Sequence, residues 1–405
     1  MSIYDVNGNV IASGEPSTII IAASDSSDEN KGIADYVCDG SHDEVELQNA
    51  IDAFGTESGQ IILCNGHYYI DSFTTQGTYG KFGLCIKNPT VNHDIIIRGI
   101  SHPNRVYLNM ASPETVIGIG ATINVTASAY ASIGTDDTVT VLGAIGPKTQ
   151  SSLNITLENV GFNVPGSSKK MTVVDLQYFG NARINYCHMG LSAGVSPSTT
   201  PHASYIGIRG LPGWNFGAGY YIRNCFLYGF GVAFDLGGEH LIMEDCGCRF
   251  CDITYRFNGY DNPAKMSHPQ TLINCCEEEC IRSMYFCTSS TKQTVTLIDF
   301  NIEARPTEYP NFPRSTKAVE QTPGNYRGTI TYSANYENYI NTSAIPFWES
   351  GSGLNFETRN TTDLLYGSTS NRPSNPNIRQ QYFDTTLGKM IVYLNGWKDM
   401  NGASV

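Results

Sequence analysis

The chain has 405 residues, a formal net charge of −13 and only 16% charged residues. That acidity excludes nucleic acid and an anionic membrane surface as main partners. No run approaches 18 consecutive apolar residues, which excludes a membrane-spanning helix, and the start, MSIYDVNGNV, lacks the basic and apolar regions of a signal peptide.

The expectation is therefore a protein made in the cytoplasm and released by another route such as host lysis, without membrane insertion. Forty Gly and 24 Tyr at low charge favour a β-rich, turn-rich chain. Residues 1–18 read as an N-terminal arm with a hairpin signal at Asn7-Gly8. A strand follows at 19–23, then a polar loop over 24–40. Ser41 to Glu44 form a capping box, with Ser41 as N-cap, ahead of a helical stripe of Leu47, Ala50, Ile51 and Phe54 that Gly55 ends. Strands are predicted at 82–86, 94–98 and 105–109. The end of a stack of coils exposes unpaired core and needs a cap, and this helix suits that task.

From Leu157 to Glu303 six segments share one pattern: LENVGF, INYCHM, IRNCFL, MEDCGC, INCCEE and IDFNIE. Aligned, their first column is apolar (Leu157, Ile184, Ile222, Met243, Ile273, Ile298). Their fourth is mostly small (Val160, Cys187, Cys225, Cys246, Cys276, Asn301). The third (Asn159, Tyr186, Asn224, Asp245, Cys275, Phe300) reads as a one-residue bend, for which Asn and Asp suit the left-handed region. Fourth-column spacings of 27, 38, 21, 30 and 25 residues fit a repeat architecture with loops of variable length. Strand alternation without a 3.6-residue period points to a parallel β-helix; a β-sandwich would need the shared residues by coincidence. Of the twelve cysteines, those in the inward column read as buried free thiols. CGCRFC and CCEEEC raise a metal reading, but the spacing is not a paired C-x-x-C set, so no metal is assigned.

Residues 111–150 read as strand-like excursions. Long interruptions at 190–221 and 258–270 are places where function tends to sit. Past Glu303 a β-rich region spans 306–357, a linker 358–378, and a small β-hairpin module 379–405.

The run ADYVCDGSHDEVELQNAIDAF followed by GQIILCNGHYYI resembles the N-terminal signature of the pectate-lyase-like superfamily of right-handed β-helix proteins, in the form found in phages and prophages of Gram-positive bacteria. RPSNPNIRQQYFDTTLGK with its Tyr/Trp hairpin is similar to a recurrent C-terminal piece of phage tail proteins. The resemblance implies an all-β fold, a right-handed parallel β-helix with a capping α-helix and a C-terminal hairpin module. It also implies a homotrimeric tail spike or tail fibre in the virion tail, held by other tail proteins. Its partner would be a bacterial surface glycan, bound with or without cleavage. The signature lies in the cap and does not specify activity.

Glycan-cleaving members of such a superfamily use paired carboxylates in hydrolysis, or a basic residue with calcium when a uronate is eliminated. Glu278 and Glu303 occupy one column on successive coils and are the candidate carboxylate pair, with Asp252 and Asp299 in support. Strand parity makes Glu277 the competing outward group. Arg249 and Glu279 share a column. Trp214, Tyr220, Arg249, Arg282 and His268 are candidate glycan contacts. No cofactor is implied unless a lyase recruits calcium. A pure adhesin and a structural virion part stand beside hydrolase and lyase.

Overall fold

The computed structural model describes residues 2–4, 10–13, 17–87, 93–103, 120–146, 153–166, 169–191, 201–212, 219–236, 240–257, 268–286, 293–303, 319–321, 328–333, 354–358, 365–372, 374, 376, 381–399 and 401–405. The predicted strand at 105–109 lies outside them. Three long sheets of eight, nine and twelve strands run the length of the described body. One coil contributes Leu153–Glu158, Val160–Val164 and Lys170–Phe179, one strand to each sheet. The next contributes Asn181–Asn185, His188–Leu191 and His202–Pro212, each parallel to its predecessor. This is a parallel β-helix, as the repeat predicts. The interior is one apolar column per strand, including Leu157, Ile184, Ile222 and Met243, all at most 1% exposed.

The register corrects the predicted columns over the last two coils. Met243 pairs with Leu272, and Leu272 with Leu297. Leu272 and Leu297 are therefore the buried core residues, and Ile298 is an exposed neighbour. The corner column is likewise Val160, Cys187, Cys225, Cys246, Cys275 and Phe300, all buried. The bend residues are Asn159, Tyr186, Asn224, Asp245, Asn274 and Asp299, each with φ between 49° and 57°. The one-residue shift removes the parity conflict: Glu277 points inward at 3% exposure, whereas Glu278 is half-buried on the outer side. It also places Arg249 opposite Glu278 rather than Glu279.

The cysteine corners have a local reason. The Cys225 thiol donates to the carbonyl of Ile184, one coil back, at 3.5 Å, and Cys246 does the same to Ile222 at 3.4 Å. A small side chain with a weak donor fits a tight apolar corner. All eleven described cysteines are free, and only Cys276 among them is half-buried rather than buried.

At the N-terminal end, helix α1 (Asp28–Ile33) falls within the stretch read as loop, capped by Ser27 accepting from the Asn30 N–H. Helix α2 (Glu44–Ala53) is the predicted cap and buries Leu47, Ala50 and Ile51. Its start is not the expected capping box. Asp43 is the N-cap residue without a cap bond, and its carboxylate instead accepts from the N–H groups of Gly40 and Tyr69, both at 2.9 Å. Glu44 accepts from the Asp71 N–H and the Ser72 hydroxyl. The acids thus latch the helix to the first coil. Gln48 bonds both the N–H and the carbonyl of Cys85, filling the place of a missing strand. Helix α3 (Ala127–Ser132) replaces part of a predicted strand, because Thr126 caps it through the Ala129 N–H.

Along the nine-stranded sheet, Asp175, Arg209, Asp235 and Arg256 stack in one register column. Arg209 grips Asp175 through two bonds of 2.9 and 2.6 Å, and Arg256 grips Asp235 likewise. Asp175 and Asp235 are at most 1% exposed, so each carboxylate needs a cation for its charge; Gln177 adds a neutral bond to Asp175 at 2.6 Å. Near the C-terminus, Leu365–Gly367, in the stretch read as linker, pairs with Gln381–Asp384 in a four-stranded sheet. Arg372 bonds Asp384 within the same unit.

Two stability outcomes follow. Arg209→Leu leaves the buried Asp175 charge with only the neutral Gln177 amide and lowers stability by about 3–5 kcal/mol, while Asp175→Asn on that background recovers part of the loss; chemical denaturation reads both. Gln270 is fully buried between Leu241 and Val295 with neither amide atom bonded. An unsatisfied amide costs about 1–3 kcal/mol, so Gln270→Leu raises the thermal midpoint.

Candidate functional site

From Asn159 to Asp299, each coil passes from the twelve-stranded to the eight-stranded sheet through one left-handed residue. Two residues further on, the next strand presents a side chain outward. Repetition builds two parallel rows. The bend row holds Tyr186, Asn224, Asp245 and Asn274. The strand row holds His188, Phe226, Gly247, Cys276 and Asn301, in direct register from coil to coil. These rows line an open groove of about 460 Å³. Four steps of about 4.8 Å make the strand row roughly 19 Å long, the length of an oligomer rather than a single small molecule.

The two ends of the groove differ. At one end His102 stands edge-on to Tyr186 and to His188, with ring centres 5.2 and 5.0 Å apart. Gly247 makes a notch in the middle: a Cβ there would lie 2.7 Å from the Cys276 Sγ and 3.2 Å from the Phe226 ring. Two carboxylates follow, Asp245 in the middle and Glu278 towards the other end. Asn274 donates to Asp245 at 2.5 Å, and the largely buried Arg249 lies 3.6 Å from Glu278. Rings that stack on apolar sugar faces and fixed amide and carboxylate groups that bond hydroxyls are thus combined on one rigid surface.

The predicted residues divide around this groove. Glu278 lines it, and Glu303 is the backbone partner of Glu278 on the next coil. Arg249 abuts Glu278. Asp252 and Arg282 lie 3.6 Å apart and do not line the groove. Asp299 is exposed at its bend with φ 50°. Tyr220 is a correction: it is fully buried and packs edge-on against Phe179 at 4.9 Å, so its ring cannot receive a sugar. His268 tilts against His240 at 4.4 Å, away from the groove lining. Trp214 lies outside the described residues. Asp245, Asn224, Asn274, His102 and His188 were not among the predicted contacts. The predicted bend column contains two of them, Asn224 and Asp245, but there Asn and Asp serve only to tolerate the backbone; Asn274 joins the row only through the corrected register.

Beneath the acidic end, on the inner side of the same strands, the thiols of Cys248, Cys251 and Cys280 converge within 4.8 Å of one another. Burial opposes ionisation of Cys251, but hydrogen bonds from Cys248 and Cys280 and from the backbone at Phe230 and Gly229 outweigh it, lowering its pKa to about 5.

No protein family matches the chain, and no curated protein does. Among solved structures, the chain is similar to tailspike protein 3 of bacteriophage CBA120, at 14% identity and a TM-score of 0.24, over 89% of this chain and 67% of that one. No helix among the described residues is long and apolar enough to cross a membrane.

The position of Cys276 gives a direct check. Brief native alkylation should modify Cys276 ahead of the ten buried described thiols, as read by peptide mass mapping. Equal labelling of Cys187 and Cys225 would mean that the corner column is open.

Proposed function

We propose that this chain is the β-helical body of a phage tail-spike-type protein that binds a bacterial surface glycan along the groove of the eight-stranded sheet. The observation that carries the proposal is the two-row groove itself, with Tyr186, His188 and Phe226 towards one end, and Asp245 in the middle followed by Glu278 towards the other. The terminal resemblances to phage tail proteins support the same reading. In that setting the working particle is a homotrimer in the virion tail, attached through other tail proteins. The test is pull-down with capsular and cell-wall polysaccharides from Gram-positive hosts. Tyr186→Asn keeps a residue that tolerates the left-handed bend and removes the ring; together with Phe226→Ala it should weaken retention about tenfold or more, or ~1.4 kcal/mol. Unchanged retention by both variants would overturn the groove as the binding site.

A second reading adds hydrolysis. It is favoured by the placement of Glu278 in the groove and of Glu303 beside it in register. Paired carboxylates on adjoining coils serve as acid and base, or as acid and nucleophile, according to their separation. Under this reading Glu278→Gln and Glu303→Gln abolish new reducing ends while retention persists. Release of products absorbing in the ultraviolet, lost on chelation, would instead mark a calcium-assisted lyase acting on a uronate polymer. Retention with neither signal leaves an adhesin.

A further inference from the structure

We propose that Cys248, Cys251 and Cys280 form a three-thiolate site for a zinc ion that staples two successive coils beneath the acidic end of the groove. Cys248 and Cys251 form a C-x-x-C pair in one coil. The third thiol comes from the next coil: Arg249 pairs with Glu278, so Cys251 and Cys280 occupy equivalent positions, each directly after a left-handed residue, Phe250 and Glu279. Sequence spacing alone shows one C-x-x-C and hides its partner, because the register supplies Cys280.

The geometry suits a thiophilic ion. With a Zn–S bond of about 2.3 Å, tetrahedral ligands place their sulfurs about 3.8 Å apart. The three Sγ atoms lie within 4.8 Å of one another, and Cys248 and Cys280 are 3.4 Å apart. Side-chain shifts of a few tenths of an ångström in that pair, and of at most about 1 Å at Cys251, bring the three sulfurs to that spacing. The surroundings hold the donors in place. The Cys248 thiol lies 3.2 Å from the Thr254 hydroxyl. The Glu277 carboxylate accepts from the Cys280 N–H at 3.1 Å and from the Ser283 hydroxyl at 2.8 Å, which makes Glu277 a positioning residue for the third ligand.

Contrast with the other cysteines sharpens the assignment. Cys187, Cys225 and Cys246 stack singly at one corner, and Cys225 and Cys246 donate to carbonyls of the previous coil. The Cys248 group instead gathers three sulfurs from two coils at one point. Binding replaces the thiol protons with the ion, transfers no electrons and needs no oxidant. Because the cluster is buried, the ion enters as the coils close, so binding energy becomes folding energy.

The experiment uses the full chain produced in zinc-supplemented medium and purified without chelator. Elemental analysis should give about one zinc per chain, and cobalt-supplemented protein should show the visible and near-ultraviolet bands of tetrahedral thiolate cobalt. Cys251→Ser and Cys280→Ser should lower the metal content at least several-fold, whereas Cys187→Ser should leave it unchanged. Should the serine variants fail to fold, metal content and the cobalt spectrum of the wild-type chain decide alone. Far less than one zinc per chain, equal zinc in the serine variants, or an intact mass two hydrogens short from a Cys248–Cys280 disulfide would overturn the proposal.

Discussion

The body of this protein depends on a backbone hydrogen-bond ladder that does not stop at the corners. In most β-structures a turn interrupts the pairing of strands. Here the bend residues stay in the ladder: the N–H of Tyr186 donates to the Arg223 carbonyl at 3.0 Å, that of Asn224 to Glu244 at 3.0 Å, and that of Asp245 to Ile273 at 3.1 Å. A single left-handed residue lets the chain change direction without leaving a buried polar group unpaired. The cost of a left-handed non-glycine residue is roughly 1–2 kcal/mol, least for Asn and Asp, and the uninterrupted ladder offsets it on every coil.

This constraint explains which parts of the architecture were legible in the sequence. Apolar, polar and small columns recur because each coil must repeat the last, and they point to the β-helix, while the 3.6-residue stripe of Leu47, Ala50, Ile51 and Phe54 points to its capping helix. They misled at Ile273-Asn274-Cys275 and Ile298-Asp299-Phe300. There the residue just after each inward leucine, Ile273 or Ile298, is itself apolar, so a one-residue slip preserved the pattern. Only pairing distinguishes Leu272 and Leu297 as the buried members. The slip mattered, because it obscured which of Glu277 and Glu278 faces outward. Helix α3 escaped for a different reason: Ala, Ser and Tyr alternate in a way that serves strand or helix, and the Thr126 cap decides between them.

The site was less legible than the fold because a surface row is set by register, while sequence distance sets nothing. His102, Tyr186, Phe226 and Asp245 are scattered over well over a hundred residues and meet only through stacking. Tyr220 shows the converse. Its aromatic neighbourhood suggested a sugar platform, yet an alternate position on its strand buries it against Phe179. The same strands then serve two purposes on opposite faces. Gly247 and Cys276 shape the groove outside, and Cys248 and Glu277, one residue further along, face the interior.

The repeated bend has a consequence for how such a surface changes over time. Every member of the bend row sits on the same backbone conformation, with φ within a few degrees of 53°. The positions therefore behave as interchangeable sockets. A residue accepted at one rung, whether Asn, Asp or Tyr, meets the same backbone demand at another. Recognition can be rewritten rung by rung while the stack beneath stays as it is, and adding or removing one whole coil would lengthen or shorten the reading frame by a single fixed step.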